Sequence, residues 1–329
     1  MTPARAGFGS PLATYMQSFL DHKRVLGRKY ISEQVTLRLF DQFLLGRRVS
    51  QVQAVTPKVV DAFLASRPRP SPRSYNQLLG MLRLLFAWMV VRGHIERSPV
   101  HAHARRGGRI RSPVILAPEH VKRLLKLASR MRDTHAGTLR ANTYATAFAL
   151  LYALGLRIGE ACRLCFADVD WGRRLLIIRQ SKFGKSRLVP FGPRLGHVLK
   201  IYVDARTAQY GSMPLDAPVL SVAGTRPLTR QKIGGVFRQF RSQIGIALPL
   251  GASLARIHDL RASFAVRTLL RWYRSGIDPA GRLLALSTFM GHVQPESTAV
   301  YLTITGELLH VAGARFESLA DPLLVELSP

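Results

Sequence analysis

Two short stretches of this chain carry residue types that suit chemistry on a phosphate. His258 and Arg261 are three residues apart, so in a helix they lie side by side. There the arginine can hold a phosphate oxygen while the histidine exchanges a proton. Arg157 follows two leucines and a glycine, and a buried arginine needs an anion or a carboxylate such as Glu160. Each pair is also typical of an ordinary helix surface, so neither identifies a site alone.

Tyr301 and Lys182 are further candidates for the same chemistry. Tyr301 lies nine residues after His292. Its local pattern alone is that of a core tyrosine. Lys182 occupies the predicted turn of a β-hairpin, from which a long flexible cation can enter a groove. An ordinary exposed lysine also fits that turn, and Lys185 competes for the role.

Nucleotide-binding and zinc-binding motifs are incomplete. Residues 184–186 resemble the end of a phosphate-binding loop, but Arg179 stands where that motif needs a glycine. Without a nucleotide triphosphate to supply energy, a reaction that joins nucleic-acid strands would have to conserve the energy of the broken bond in a covalent intermediate. Cys162 and Cys165 form a single C-x-x-C without the two further ligands that zinc requires, and their spacing favours buried small side chains. We expect neither a metal nor a cofactor.

The charge of the chain indicates a nucleic-acid partner. Of its 329 residues, 48 are Lys or Arg and 19 are Asp or Glu, which gives a net charge of +29. Of the 48, nine are Lys and 39 are Arg, whose planar fork suits phosphate. Charge does not distinguish DNA from RNA. No run of 18 apolar residues or signal-peptide pattern occurs, so we expect no membrane contact and a cytoplasmic, nucleoid-associated protein.

Apolar spacing predicts a small four-helix domain over residues 1–104. Thr56 and Ser71 each precede a proline, which is typical of a helix start. A glycine- and arginine-rich linker without acidic residues follows over residues 105–113. Its arginines could follow DNA phosphates, although a solvated spacer fits equally well. These arginines are Arg105, Arg106, Arg109 and Arg111.

A larger domain is predicted over residues 114–329. It begins with helices, one of them over about residues 142–153. Residues 175–178 and 187–189 then predict the two strands of a β-hairpin, and helices return from Thr229. The fold is therefore expected to be mainly α with a small β-sheet. Three cations of this domain are further candidates for DNA contacts: Lys185, Arg230 and Lys232.

Four boxes, in this order, resemble those of the tyrosine recombinase (phage integrase) family. Residues 154–160 resemble its first arginine box, and residues 181–190 resemble its catalytic-lysine hairpin. Residues 258–261 match the pattern H-x-x-R, and residues 290–292 with Tyr301 resemble the last box and its nucleophile. The resemblance implies a two-domain DNA clamp, with a helical, SAM-like core-binding domain before an integrase-type catalytic domain.

The resemblance, which covers about residues 114–312, implies a site-specific DNA recombinase that works through a 3′-phosphotyrosine without a cofactor. Tyr301 would attack the scissile phosphate. His258 would act as its base, and Lys182 would protonate the leaving oxygen.

The same resemblance implies how the phosphate is held. Arg157 and Arg261 would clamp the non-bridging oxygens, and His292 would hydrogen-bond the phosphate. Glu160 would orient Arg157. The chain departs from the family at Ala262, since a histidine usually follows the second arginine there, but we still expect activity.

The long stretch between the second arginine and the last box resembles that of transposon-borne recombinases, which favours integration or transposition of a mobile element. The expected partners are double-stranded DNA and further subunits, in a homo-tetramer or a hetero-assembly with related recombinases. The alternatives are a catalytically inactive DNA-binding accessory protein, a type IB-like topoisomerase and a ribosome-associated RNA-binding protein. The last would explain the charge but not the ordered boxes.

Overall fold

The computed structural model describes most of the chain, and the described residues form two compact units, one within residues 1–110 and one within 111–329. They are mostly helical with a small sheet, which confirms the predicted mainly α fold. Among them, no helix combines the length and apolar character that crossing a membrane requires. The described residues are 7–107, 112–135, 137–179, 185–248, 252–292, 294, 296–303 and 313.

Four helices build the first unit, as the apolar spacing predicts. Two of them begin where predicted, because Thr56 and Ser71 each precede a proline at the first helical position, where no backbone N–H is needed. The helices are α1 (Ala13–Val25), α2 (Ile31–Gly46), α3 (Pro57–Ser66) and α4 (Pro72–Val91), with a 3-10 turn at Val52–Ala54.

Aromatic rings from three of these helices meet in the core of the first unit. The ring of Phe40 in α2 lies 4.8 Å from that of Phe63 in α3 and 6.1 Å from that of Phe86 in α4, measured between centroids. All three rings are buried, and burial of such large apolar surfaces stabilises the helix arrangement.

The segment after α4 is bound back onto that helix. The side-chain amide of Asn76 pairs with the backbone of Arg105 through two hydrogen bonds of 2.8 Å. The guanidinium of Arg105 lies 4.0 Å from the centre of the Tyr75 ring and donates to the carbonyl of Arg69 at 2.9 Å. The backbone and side chain of Arg105 are therefore both engaged within the first unit.

The second unit contains the sheet and the remaining helices. Its described helices are α5 (Pro118–Ser129), α6 (Arg140–Ala153), α7 (Ile158–Arg163), α8 (Pro193–Tyr210), α9 (Arg230–Phe240), α10 (Asp259–Arg274), α11 (Pro279–Met290) and α12 (Glu296–Ala299). Its strands are β1 (Val169–Asp170), β2 (Leu175–Ile178) and β3 (Arg187–Pro190). Its described 3-10 turns lie at Phe166–Asp168 and Val300–Thr303.

The strands form an antiparallel sheet in the order β1-β2-β3. Leu176 of β2 pairs with Val189 of β3, and both side chains are buried in the core of the unit. The two predicted hairpin strands are therefore confirmed. Strand β1 was not predicted, because two residues are too few to show alternation. Lys182 belongs to the predicted hairpin turn and lies outside the described residues.

A glycine in the left-handed backbone region turns the chain from α6 towards α7. Gly155 has a φ of +57°, and a methyl group added there would lie 2.5 Å from the ring of Phe264 in α10. The carbonyl of Gly155 accepts a hydrogen bond from Arg261, also in α10. The connection before α7 therefore packs directly on α10, and this places Arg157 beside the first turns of that helix.

Candidate active site

Glu160 joins two arginines in the second unit and is only 3% exposed. Its Oε1 accepts from Nη1 of Arg157 at 2.8 Å and from Nη1 of Arg187 at 3.0 Å. Its Oε2 accepts from Nη2 of Arg187 at 2.9 Å and from the backbone N–H of Arg157 at 3.0 Å. Burial by itself would raise the pKa of Glu160, but these bonds and charges together lower that pKa to about 2. The carboxylate is therefore ionised and fully paired at neutral pH.

Three arginines donate to successive carbonyls at the C-terminal end of α11. The last carbonyls of a helix lack partners within it and form its negative end, so they suit guanidinium groups. Elements α7, β3 and α10 thereby hold the turn that leads to His292. The bonds are Arg187 Nε to Phe289 at 2.8 Å, Arg261 Nη2 to Met290 at 2.7 Å and Arg157 Nη2 to Gly291 at 2.6 Å.

Arg261 is a buried cation with donor capacity to spare. It is 1% exposed, and its Nη1 donates to the carbonyl of Gly155 at 2.5 Å, whereas its Nε has no hydrogen-bond partner among the described residues. Burial, and next the charge of Arg157, lower the pKa of Arg261 to about 9, so it stays protonated at neutral pH. A buried cation of this kind is stabilised when an anion such as a phosphate approaches it.

Tyr301 lies in the 3-10 turn after α12, is 8% exposed and packs in an apolar cluster with residues of α10. Its ring stacks on that of His292, with centroids 6.3 Å apart and planes 25° apart. Nδ1 of His292 and Oγ1 of Thr298 form a hydrogen bond of 2.5 Å, and Thr298 is completely buried. Thr298 therefore holds the imidazole of His292 beside the phenol.

Burial and neighbouring cations shift the pKa values of Tyr301, His292 and His258. Burial raises the pKa of Tyr301, although Arg261 and Arg157 lower it in part. Burial, followed by the charge of Arg261, lowers the pKa of His292 to about 4. His258 is exposed, yet desolvation by the surrounding protein and the charge of Arg261 lower its pKa. At neutral pH the phenol is therefore protonated and both imidazoles are neutral.

The structure brings five of the six predicted catalytic residues into one cluster: Arg157, His258, Arg261, His292 and Tyr301. The sixth, Lys182, lies outside the described residues. Ala262, at the position of the family's usual histidine, is buried in the same apolar cluster as Tyr301.

None of the described cations that were predicted to contact DNA belongs to this cluster. Arg109 and Arg111 lie outside the described residues, and Arg105 is engaged with Tyr75. The remaining four are exposed: Arg106, Lys185, Arg230 and Lys232. Contact of these side chains with DNA stays a prediction.

The sequence analysis missed two residues that contact this cluster, Arg187 and Thr298. Arg187 begins a strand, and no periodicity distinguishes it from an ordinary basic strand end. Thr298 precedes Tyr301 by three residues, a spacing that places two helical residues on one face and could have indicated a shared role.

Burial keeps the thiols of the two cysteines protonated. Burial raises the pKa of Cys162 to about 11 and also raises the pKa of Cys165, so both thiols stay protonated at neutral pH. Within the part of the chain that the structure describes, no group of three or more His, Cys, Asp or Glu side chains is arranged to hold a metal ion.

The chain is similar to known proteins over most of its length. Residues 115–307 match the model of the phage integrase family. The integrase/recombinase y4rB of Sinorhizobium fredii is 32% identical over 306 residues, which cover 92% of this chain and 96% of that protein. The tyrosine recombinase XerD of Ralstonia nicotianae is 27% identical over 280 residues, which cover 85% of this chain and 84% of that protein.

Two solved structures share the fold. The Tn1549 transposon integrase in complex with a circular intermediate DNA has a TM-score of 0.61 and 18% identity, and the match covers 93% of this chain and 99% of that chain. A lambda integrase dimer bound to a COC′ core site has a TM-score of 0.61 and 18% identity, and the match covers 90% of this chain and 78% of that chain. At this level of identity the likeness shows the fold alone.

Proposed function

Because this chain belongs to the phage integrase family, we propose that its cluster of arginines and histidines breaks and rejoins DNA through Tyr301. The chain is a site-specific DNA recombinase of the tyrosine type. One observation carries the assignment of Tyr301: two arginines and His292, from three separate stretches of chain, lie around this buried phenol, and His258 lies beside the same arginines.

In the proposed reaction, the phenol oxygen of Tyr301 attacks the scissile phosphorus. A bond from phosphorus to the tyrosine oxygen forms, and the bond to the 5′-oxygen breaks. The phenol proton passes to His258, and Lys182 supplies a proton to the 5′-oxygen. The products are a 3′-phosphotyrosine and a free 5′-hydroxyl. A 5′-hydroxyl from a second strand reverses these steps and rejoins the DNA, because the intermediate preserves the bond energy.

A base is needed because the site keeps the phenol neutral. An ordinary tyrosine, with a pKa of about 10, is only ~0.1% ionised at pH 7. Burial raises the pKa of Tyr301 further. His258 has a lowered pKa, so at neutral pH it is unprotonated and can accept the proton.

The remaining groups stabilise the charge that develops on the phosphorane. Arg157 and Arg261 neutralise the non-bridging oxygens, the work that metal ions do in other phosphoryl transfers. A hydroxyl proton donated by Thr298 to Nδ1 of His292 leaves the ring proton on Nε2, which then donates to the phosphate. Glu160 keeps the guanidinium of Arg157 in place.

The experiment is a trapping assay on a nicked duplex that carries the DNA flanking the gene. Cleavage next to the nick releases a short fragment, so rejoining fails and the covalent protein–DNA adduct accumulates. We expect an adduct with the wild-type protein and none with Tyr301→Phe, whereas DNA affinity stays within about threefold because no cation is removed.

Tyr273→Phe is the matched control, since it also removes one phenol from the second unit and should leave the adduct intact. An adduct that persists in Tyr301→Phe would remove Tyr301 from the role of nucleophile. Binding without any adduct in the wild-type protein would favour the inactive accessory protein.

We further propose that the protein recombines a mobile element on nucleoid DNA in the cytoplasm, as a tetramer or together with related recombinases. Two likenesses support this: the Tn1549 integrase belongs to a transposon, and the lambda integrase is a dimer on its core site. The mass of the trapped protein–DNA complex in solution tests the number of subunits.

A further inference from the structure

Arg187 connects three elements of the active site. It lies in β3, and its guanidinium donates to both oxygens of Glu160, which belongs to α7. Its Nε donates to the carbonyl of Phe289 in the last turn of α11. One planar group thus ties the carboxylate that holds Arg157 to the helix end that precedes His292.

The guanidinium is also packed against the turn that carries His292. Gly291 has a φ of +70°, and a Cβ added there would lie 2.7 Å from Nη1 of Arg187. The side chain of Arg187 is only 10% exposed. Arg187 is therefore surrounded by protein groups. It differs in this from the exposed cations, which are suited to contact with the DNA backbone.

Arg187 supplies half of the hydrogen bonds that surround the carboxylate of Glu160. Among the described residues, four N–H groups donate to this carboxylate, two from Arg187 and two from Arg157. Without Arg187, the buried carboxylate would keep only the two bonds from Arg157 and would have two acceptor sites unfilled. It would then hold Arg157 in a different geometry or take up a proton.

We propose that Arg187 is a positioning residue for DNA cleavage, which fixes Arg157 and the His292 turn relative to each other through Glu160 and the carbonyl of Phe289. This inference rests on the proposed function, because it assigns Arg187 to the same reaction. Arg187 itself does not touch the DNA. Two cationic and hydrogen-bonding groups that must meet one phosphate need a fixed separation, and a displacement of about 1 Å lowers such rates by roughly a hundredfold.

A lysine at this position would keep the charge but not the geometry. The guanidinium presents its donors along a rigid fork, which reaches two carboxylate oxygens and a carbonyl at once. A lysine ammonium is a single point at the end of a flexible chain. The variants Arg187→Lys and Arg187→Met therefore separate the loss of geometry from the loss of charge.

The test measures single-turnover adduct formation on the nicked duplex at saturating protein, together with the dissociation constant for the same DNA. We expect the rate to fall about tenfold to a hundredfold in Arg187→Lys and further in Arg187→Met. The dissociation constant should change less than about threefold, because a phosphate contact is not lost.

The pH dependence of the rate gives a second readout that a purely structural role would not move. Removing the Arg187 charge raises the pKa of Glu160, so Glu160 takes up a proton and releases Arg157 as the pH falls. Arg187→Met should therefore lose activity below about pH 6 more steeply than the wild type, and Arg187→Lys should keep the wild-type profile.

Arg179→Met is the matched control, because Arg179 also pairs with a buried carboxylate, that of Asp168, but is 59% exposed. It should cleave at the wild-type rate. A folded Arg187→Met protein with wild-type rate would overturn the inference, as would a rate loss matched by an equal loss of DNA affinity. If Arg187→Met does not fold, the rate of Arg187→Lys decides. Absence of a Tyr301-dependent adduct in the wild type would instead defeat the proposed function.

Discussion

His258 and His292 are both imidazoles beside the same two arginines, yet their surroundings suit them to different tasks. His292 is held by Thr298 and stacked on Tyr301, and its pKa falls to about 4, so it stays neutral, which suits the proposed role of hydrogen-bond donor. His258 lies at the edge of the cluster and is exposed, so it can exchange a proton with water. A base needs such an exit for its proton, and a hydrogen-bond donor does not.

The lowered pKa of His258 gives a prediction for the pH dependence of cleavage. Desolvation and Arg261 lower this pKa below the ordinary value of 6.5, so the imidazole is unprotonated at and above that pH. The rate at subsaturating DNA, which reports the free protein, should therefore fall on acidification with a midpoint below pH 6.5. His258→Ala should lower the rate by roughly a hundredfold and abolish this acid limb. An acid limb with its midpoint above 6.5 would contradict the assignment.

The sequence predicted functional residues that lie in the four short boxes, and it did not predict those whose contacts join distant parts of the chain. His258 immediately precedes α10 and Arg261 lies in its first turn, so their proximity follows from spacing alone. Arg187 and Glu160 are 27 residues apart, and Arg187 and Phe289 are 102 apart. No local pattern reports such pairs, which is why Arg187 was missed.

At the level of elements, the connection from α6 to α7 determines where Arg157 stands. Gly155 combines a left-handed backbone with close contact to Phe264 in α10, and its carbonyl accepts from Arg261. Any side chain here must both strain the backbone and displace the ring of Phe264. The relative position of Arg157 and Arg261 therefore depends on a glycine.

Gly155→Ala tests this dependence. We expect the free energy of unfolding to fall by at least about 2 kcal/mol, because alanine strains the left-handed backbone and overpacks the core. We also expect the adduct to form more slowly. Gly276→Ala is the matched control: it also has positive φ, +71°, but no atom lies within 4 Å of the added methyl group. Its free energy of unfolding should fall by about 1 kcal/mol, and it should form the adduct at the wild-type rate. Urea unfolding and the trapping assay measure both quantities, and equal behaviour of the two variants would refute the argument.

Helices were predicted correctly where apolar spacing or a proline marked their boundaries. A helix was missed where one of its buried positions is polar. Helices α3 and α4 begin at the predicted prolines. Helix α8 was not predicted, because one position of its core face is Arg206. That side chain is fully buried and donates to the carbonyls of Pro218 and Val219. A charged residue at a core position breaks the apolar stripe on which the prediction depends.

At the scale of the whole molecule, the net charge of +29 should govern DNA affinity. Neutralising phosphates releases bound counterions, so we expect affinity to fall about a thousandfold between 50 and 200 mM NaCl, as for six or more phosphate contacts. Fluorescence anisotropy with a labelled duplex measures this dependence. Tyr301→Phe should show the same salt dependence, because the phenol carries no charge. A dependence equivalent to only one or two contacts would contradict the prediction.

The sequence by itself determined the family, the main helices, the hairpin strands and the six candidate catalytic residues, because each is written in local spacing or in an ordered set of boxes. Only the tertiary structure decided that three arginines meet the end of α11, that Glu160 is shared between two of them, and that Thr298 holds His292. Such contacts join residues far apart in the chain, and they depend on how helices and strands pack, which local periodicity does not encode.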